Sequence, residues 1–146
     1  MIEFQIDTLG YSIDRIFSNM VKFLNYNLTN EGLEIQHPQF AILMVLSKKD
    51  GLEQSALSEY SNRDKATVSR NIKCLEEKGY LHVIPDGGKK KKIFLTEKGK
   101  NLIPKLYEIG RQNTETTLKG FSEKKKKEIF DMLHKMYLNI SSVTEK

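Results

Sequence analysis

The stretch from Gln54 to Leu95 constrains the fold more than any other, because its apolar spacing switches from helical to extended within a few turns of chain. Two short helices are predicted, about 54 to 60 and about 65 to 79, separated by the polar turn Ser61-Asn62-Arg63. Asp64 stands at the N-cap of the second, where its carboxylate can accept from the free N–H groups of the first turn. Gly79 ends that helix, as a residue that tolerates positive φ does. Tyr80 to Ile84 and Lys92 to Leu95 then read as two short strands joined by Pro85-Asp86-Gly87-Gly88. The predicted result is a β-hairpin with a lysine-loaded tip.

Long helices flank this region. Leu9, Ile13, Ile16, Phe17, Met20, Leu24 and Leu28 recur at steps of three and four, the spacing of one apolar helix face over residues 8 to 28. Asn30-Glu31-Gly32 breaks that helix, and His37-Pro38 opens a second, about 38 to 49, that is apolar on most sides and expected to be central. Asp50-Gly51 ends it. After the hairpin, Thr96 caps a helix over about 97 to 119 that Gly120 ends. Ser122, followed by Glu123, caps a last one with Ile129, Met132, Leu133, Met136, Tyr137 and Ile140 at helical spacing. A chain of 146 residues cannot hide all these faces within itself, so a homodimer built from the terminal helices is expected.

The order helix, helix, three-residue turn, helix, hairpin is that of a winged helix-turn-helix, whose second helix is the one expected in a major groove. The fold class is therefore mainly α with a small β-hairpin wing and long terminal dimerisation helices. On a wheel of about 100° per residue centred on Val68, Ile72, Leu75 and Gly79 fall within about 40° and form the buried stripe. Ala66, Arg70, Lys73 and Glu77 point the opposite way, with Thr67 and Ser69 on the shoulders. This outward face is small, hydroxylated and basic, as close approach to base edges requires. Arg70 can bridge guanine O6 and N7, while Ala66, Thr67 and Ser69 can meet phosphates, bases or a thymine methyl. Lys65 and Arg63, at the helix entrance, are candidates for phosphate contacts. Lys89, Lys90, Lys91 and Lys92 on the wing would face the adjacent minor groove or its phosphates, each neutralised phosphate releasing a counterion.

Charge supports a polyanionic partner. Residues 1–60 carry 4 Lys/Arg against 8 Asp/Glu, residues 61–100 carry 11 against 5, and residues 101–146 carry 9 against 6. The positive charge is concentrated around the hairpin, which favours nucleic acid. The longest apolar run, Phe40 to Leu46, is far short of the roughly 20 residues that span a bilayer. The N-terminus MIEFQIDTLG lacks the pattern of a signal peptide, so a cytoplasmic protein without a membrane partner is expected. Cys74 is the single cysteine, which leaves no intrachain disulfide. It is expected to be partly exposed near Lys73 and Lys78, where a redox switch weighs against an inert thiol. His37, His82 and His134 lie apart from carboxylates at metal spacing, so neither a metal site nor a cofactor is expected. Lys124 to Lys127 read as exposed surface. Phe and Tyr residues of the first, second and fifth helices read as core, with an effector cavity as the alternative.

The segment LSEYSNRDKATVSRNIKCLEEKGYL, followed by the wing and IFLTEKG and preceded by HPQFAILMVL, resembles the MarR family of transcriptional regulators over essentially the whole chain. The resemblance implies one domain over 1–146. Residues 33–99 would form the winged helix-turn-helix DNA-binding part, and 5–32 and 100–143 the dimerisation helices. It further implies a homodimer on double-stranded DNA, a recognition helix including Thr67, Ser69 and Arg70, and often repression relieved by a small aromatic or anionic effector. The family's wing usually carries an Asp-x-Arg pattern whose arginine enters the minor groove. Here the stretch is GGKKKK, and lysine is a point charge without arginine's planar fork, so phosphate binding is expected of this wing. The family's peroxide sensors use a cysteine in the first helix, and this first helix has none.

The alternative function is a winged-helix protein-interaction module. Protein docking favours apolar or aromatic anchors, whereas the outward face of residues 65 to 73 is small, polar and basic. An enzyme is not expected, since no nucleophile–base pair, Gly-rich phosphate loop or paired-carboxylate motif stands in the sequence.

Overall fold

The computed structural model describes residues 8–88 and 90–145, which form six helices and three strands. The chain divides into two compact units, residues 1–113 and 114–146. Within the first, α1 (Leu9–Asn30), α2 (His37–Lys48), β1 (Leu52–Glu53), α3 (Gln54–Tyr60), α4 (Lys65–Glu77), β2 (Leu81–Pro85), β3 (Lys91–Leu95) and most of α5 (Glu97–Thr117) follow in order. The second holds the end of α5 and α6 (Glu123–Thr144).

Local chemistry sets most boundaries. Thr8, Asp64 and Ser122 each accept a backbone N–H from the first turn of the helix they precede. Thr96 Oγ1 accepts from Gly99 N at 3.1 Å while donating to Gly79 O at 2.6 Å, so one hydroxyl starts α5 and ties it to the end of α4. The last turns of α3 and α4 close alike. Arg63 N donates to Ser58 O and Asn62 N to Glu59 O; Tyr80 N donates to Leu75 O and Gly79 N to Glu76 O. These are paired reverse bonds that need a left-handed residue between them, supplied by Asn62 (φ 56) and Gly79 (φ 82). The three-residue turn between α3 and α4 is thus a helix C-terminus running directly into the next N-cap.

The core of the first unit gathers around α2, whose Ile42, Leu43 and Leu46 are buried together with Leu24 and Leu28 of α1, Leu57 of α3, Val68, Ile72 and Leu75 of α4, and Leu106 and Ile109 of α5. Burying a side chain of this size contributes about 1.5–3 kcal/mol relative to leaving it exposed. The stripe predicted for α1 is buried only at its C-terminal end, since Leu9, Ile13, Ile16 and Phe17 are exposed. In the second unit α6 has no buried residue, and Phe130, Met132, Leu133, Tyr137, Leu138, Ile140 and Val143 are exposed.

The sheet departs from the predicted hairpin in strand number and in strand ends, and Tyr80, expected to open the first strand, lies just before β2. It has three strands, ordered β1-β3-β2, because Leu52 and Glu53 pair antiparallel with Ile93 and Lys92. Asp50 extends that edge, its Oδ1 accepting from Leu95 N at 2.9 Å, while Gly51 (φ 70) turns so tightly under Phe94 that a Cβ there would lie 2.7 Å from the ring. Pro85 belongs to β2, opposite Lys91, and Lys91 itself belongs to β3. Pro85 fits because β2 is an edge strand. The helix expected over 97 to 119 ends at Thr117, and α4 ends at Glu77 with Lys78 as its cap.

Candidate nucleic-acid interface

Val68, Ile72 and Leu75 are buried, and this stripe fixes the rotation of α4. Lys65, Ala66, Ser69, Arg70 and Lys73 consequently lie on its exposed side, and Thr67 is half-buried at its edge. Asp64 organises the first turn. Its Oδ1 accepts from Thr67 N at 2.9 Å and its Oδ2 from the Thr67 hydroxyl at 2.7 Å. The Thr67 hydroxyl in turn accepts from Arg70 Nη2 at 3.4 Å, so acid, hydroxyl and guanidinium run along one edge of the helix. These bonds, the Thr67 hydroxyl first and its N–H second, hold the Asp64 carboxyl below its ordinary 3.8.

The described wing lysines occupy different places on the hairpin. Lys89 lies outside the described residues. Lys90 stands in the turn, closed by Asp86 N donating to Lys90 O at 3.1 Å, and its ammonium is 3.8 Å from Glu53 of β1. Lys91 and Lys92 are consecutive strand residues and so point to opposite faces. Lys91 is exposed, whereas Lys92 is half-buried and 3.7 Å from Asp86. Strand pairing thus takes Lys91 into β3 beside Lys92, one residue earlier than expected, and leaves Lys90 in the turn.

Arg63, the candidate phosphate contact at the helix entrance, is half-buried, with Nη2 2.9 Å from His37 Nδ1 and its guanidinium 5.9 Å from the centre of the Phe17 ring. Cys74 is half-buried as expected, but it faces α2, where Gln39 Nε2 donates to its Sγ at 3.2 Å. Gln39 Oε1 also accepts from Gln36 N at 3.2 Å, so this buried amide both caps α2 and braces α4. Glu76, on the last turn of α4, accepts from Val83 N of β2 at 3.2 Å and thereby ties recognition helix to wing. These cross-links join residues far apart in sequence, and no local pattern announces them.

Comparison with known proteins agrees with this geometry. The MarR family model matches residues 35–93, which run from just before α2 into β3. A HTH-type transcriptional regulator of Bacillus subtilis (strain 168), YybA, is 35% identical over 116 residues, covering 78% of this chain and 77% of the relative. The chain belongs to the MarR family. The transcriptional regulator HosA of Escherichia coli is 26% identical over 105 residues, covering 70% of this chain and 78% of HosA. The crystal structure of a MarR transcriptional regulator from Methanosarcina mazei Go1 superposes with a TM-score of 0.86 at 29% identity, covering 96% of this chain and 94% of that one. This MarR-family chain is thus a winged-helix, DNA-binding transcriptional regulator and not an enzyme. No helix among the described residues is long and apolar enough to cross a membrane.

Proposed function

We propose that this MarR-family protein is a cytoplasmic homodimeric repressor that reads a pseudo-palindromic operator and releases it when a small aromatic or anionic effector binds. The observation that carries the reading is the division of α4 into a buried stripe of Val68, Ile72 and Leu75 and an exposed face of Ala66, Ser69, Arg70 and Lys73. In this reading α4 enters the major groove. Arg70 reads a guanine as a two-pronged donor, Ser69, Ala66 and Thr67 meet bases or phosphates, and Lys65 and Lys73 meet phosphates. On the wing, Lys89, Lys90, Lys91 and Lys92 are assigned to the adjacent minor groove or its phosphates, an assignment that the exposure of Lys90 and Lys91 supports.

Dimerisation is supported by the apolar side chains left exposed on α1 and on α6, at positions where an isolated chain would expose them to water. Residues 5–32 and 100–143 then hold the dimer, and residues 33–99 form its DNA-binding part. A two-fold dimer reads half-sites one helical turn apart, about 34 Å. The repressor and effector assignments rest on family membership.

Fluorescence anisotropy with the protein's own upstream DNA and a scrambled duplex, across a salt series, tests the reading. A preference of about 10³ or more for the upstream duplex is expected. Equal binding to both, with a steep salt slope, would reduce the site to a basic surface and defeat the assignment.

A further inference from the structure

His37, Phe17 and Arg63 come from α2, α1 and the turn before α4, and they meet as one cluster inside the residue 1–113 unit. His37 is the first residue of α2, and its backbone N–H donates to Asn25 Oδ1 of α1 at 2.8 Å. Its ring stands edge-on to Phe17, centroids 5.5 Å apart. Arg63 lays its guanidinium over the same Phe17 ring at 5.9 Å and reaches His37 Nδ1 at 2.9 Å. One aromatic ring and one imidazole nitrogen thus hold the residue that leads into the recognition helix.

The hydrogen bond dictates the protonation state. A guanidinium has donors only, so Nδ1 must be the acceptor, and the imidazole is neutral with its proton on Nε2. A protonated imidazole carries N–H on both nitrogens. It would present a donor to a donor and a second cation to the guanidinium, so the bond and the proton exclude each other. Around the ring, α1 supplies the uncharged Phe17 and Asn25, the start of α2 has the uncharged Gln36 and Gln39, and the turn supplies Arg63, whose charge acts on the imidazole. Burial first and Arg63 second hold His37 below its ordinary 6.5.

We propose that His37 is a positioning residue for operator recognition: in its neutral form it holds Arg63, and with it the entrance of α4, in the DNA-reading arrangement, and a proton on His37 releases that hold. The inference rests on the reading of α4 as the base-contacting element. Arg63 immediately precedes Asp64, whose carboxylate carries the Thr67 N–H and hydroxyl. Movement of Arg63 is therefore passed to the first turn of α4, on which the turn that carries Ser69 and Arg70 is built. The phosphate contacts of the wing do not pass through His37. The added positive charge acts in the other direction on non-specific binding, which it strengthens. Acidification thus lowers preference between duplexes rather than affinity as such.

The experiment uses the full-length protein and measures anisotropy with the upstream and scrambled duplexes at about pH 8 and about pH 5.5, either side of the ordinary histidine range, beside an NMR titration of the His37 ring. The ring is expected to titrate below 6.5, and Arg63→Ala is expected to raise that midpoint. The preference of the unmodified protein is expected to fall about twofold at the midpoint of the ring titration and further below it, as the neutral fraction shrinks. His37→Asn, which puts an amide oxygen near Nδ1 and does not titrate, keeps its preference at both pH values; His37→Gln serves if the first variant is unstable. An equal fall in the non-titrating variant, a ring midpoint at or above 6.5, or a midpoint unmoved by Arg63→Ala overturns the proposal. If the unmodified protein shows no preference even at the higher pH, the operator reading fails, and the ring titration still decides whether Arg63 is held by His37.

Discussion

The recognition helix and the wing are both rich in lysine or arginine, yet they present charge in different ways. On α4 the helical period matches the periodicity of the residues, so the apolar side chains leave on one side and Ala66, Ser69, Arg70 and Lys73 remain on the other. On the wing four consecutive lysines meet a period of two, and the described ones go to the turn and to both faces of β3. Acidic neighbours sharpen the contrast. Asp64 organises α4 by accepting from Thr67, whereas Glu53 and Asp86 stand beside Lys90 and Lys92 and offset their charge. A run of like charges in a sequence becomes a surface only when the element beneath it has the right period.

The largest effect should come from breaking the stripe that orients α4. Leu75 is fully buried, and Leu75→Ala should cost about 2–5 kcal/mol of unfolding free energy in urea. Ile84→Ala, on the exposed side of the wing, should stay within about 0.5 kcal/mol. Comparable losses at the two positions would mean that the wing is as deeply anchored as the helix. Next in size, Arg70→Ala should remove about 1–3 kcal/mol of discrimination between upstream and scrambled duplexes while leaving the salt slope nearly unchanged. A uniform loss on both duplexes would instead make Arg70 a phosphate contact, no different from the wing.

What the sequence made legible follows the same division. The caps Asp64, Thr96 and Ser122, the stripe Val68-Ile72-Leu75 and the outward face of α4 could all be read, because each depends on residues within a turn or two of one another. The MarR resemblance could be read for the same reason: its motif is nearly continuous. β1 could not, since two residues carry no period and strand only through partners some forty positions later. Nor could the fate of the lysine run, which depends on the register of β3 against β2, nor the turning of Arg63 away from the helix entrance toward His37, 26 residues distant. Cys74 shows both sides: its shoulder position was legible on the wheel, but its partner Gln39 belongs to another helix.

The wing should show smaller, sequence-independent effects. Lys91→Ala should weaken both duplexes alike and shallow the salt slope by about one unit, as loss of one phosphate contact does. Lys92→Ala should do less, because Asp86 already offsets that ammonium. Asp86→Asn should strengthen binding to both duplexes, and it would sink the self-neutralising view of the wing if affinity were unchanged.

The smallest effect expected is at Asp64, and it separates an acid that organises from one that merely offsets charge. Its folded carboxyl is held below 3.8, so the unfolded chain binds the proton more readily. The stability that the cap contributes is present in full above the ordinary carboxylate range and is lost as pH falls through the lowered folded value. Asp64→Ala should therefore lower the melting temperature at neutral pH, and its gap from the unmodified protein should narrow on acidification into that range. Asp86→Ala, on the wing, should leave the melting temperature at neutral pH nearly unchanged, because an exposed ion pair contributes little. If the Asp64→Ala gap instead stays constant down to the lowest pH at which the protein folds, the carboxylate is not what holds the first turn of α4. The Thr67 hydroxyl would then be free to turn outward toward DNA, and the difference between helix and wing would rest on apolar burial alone.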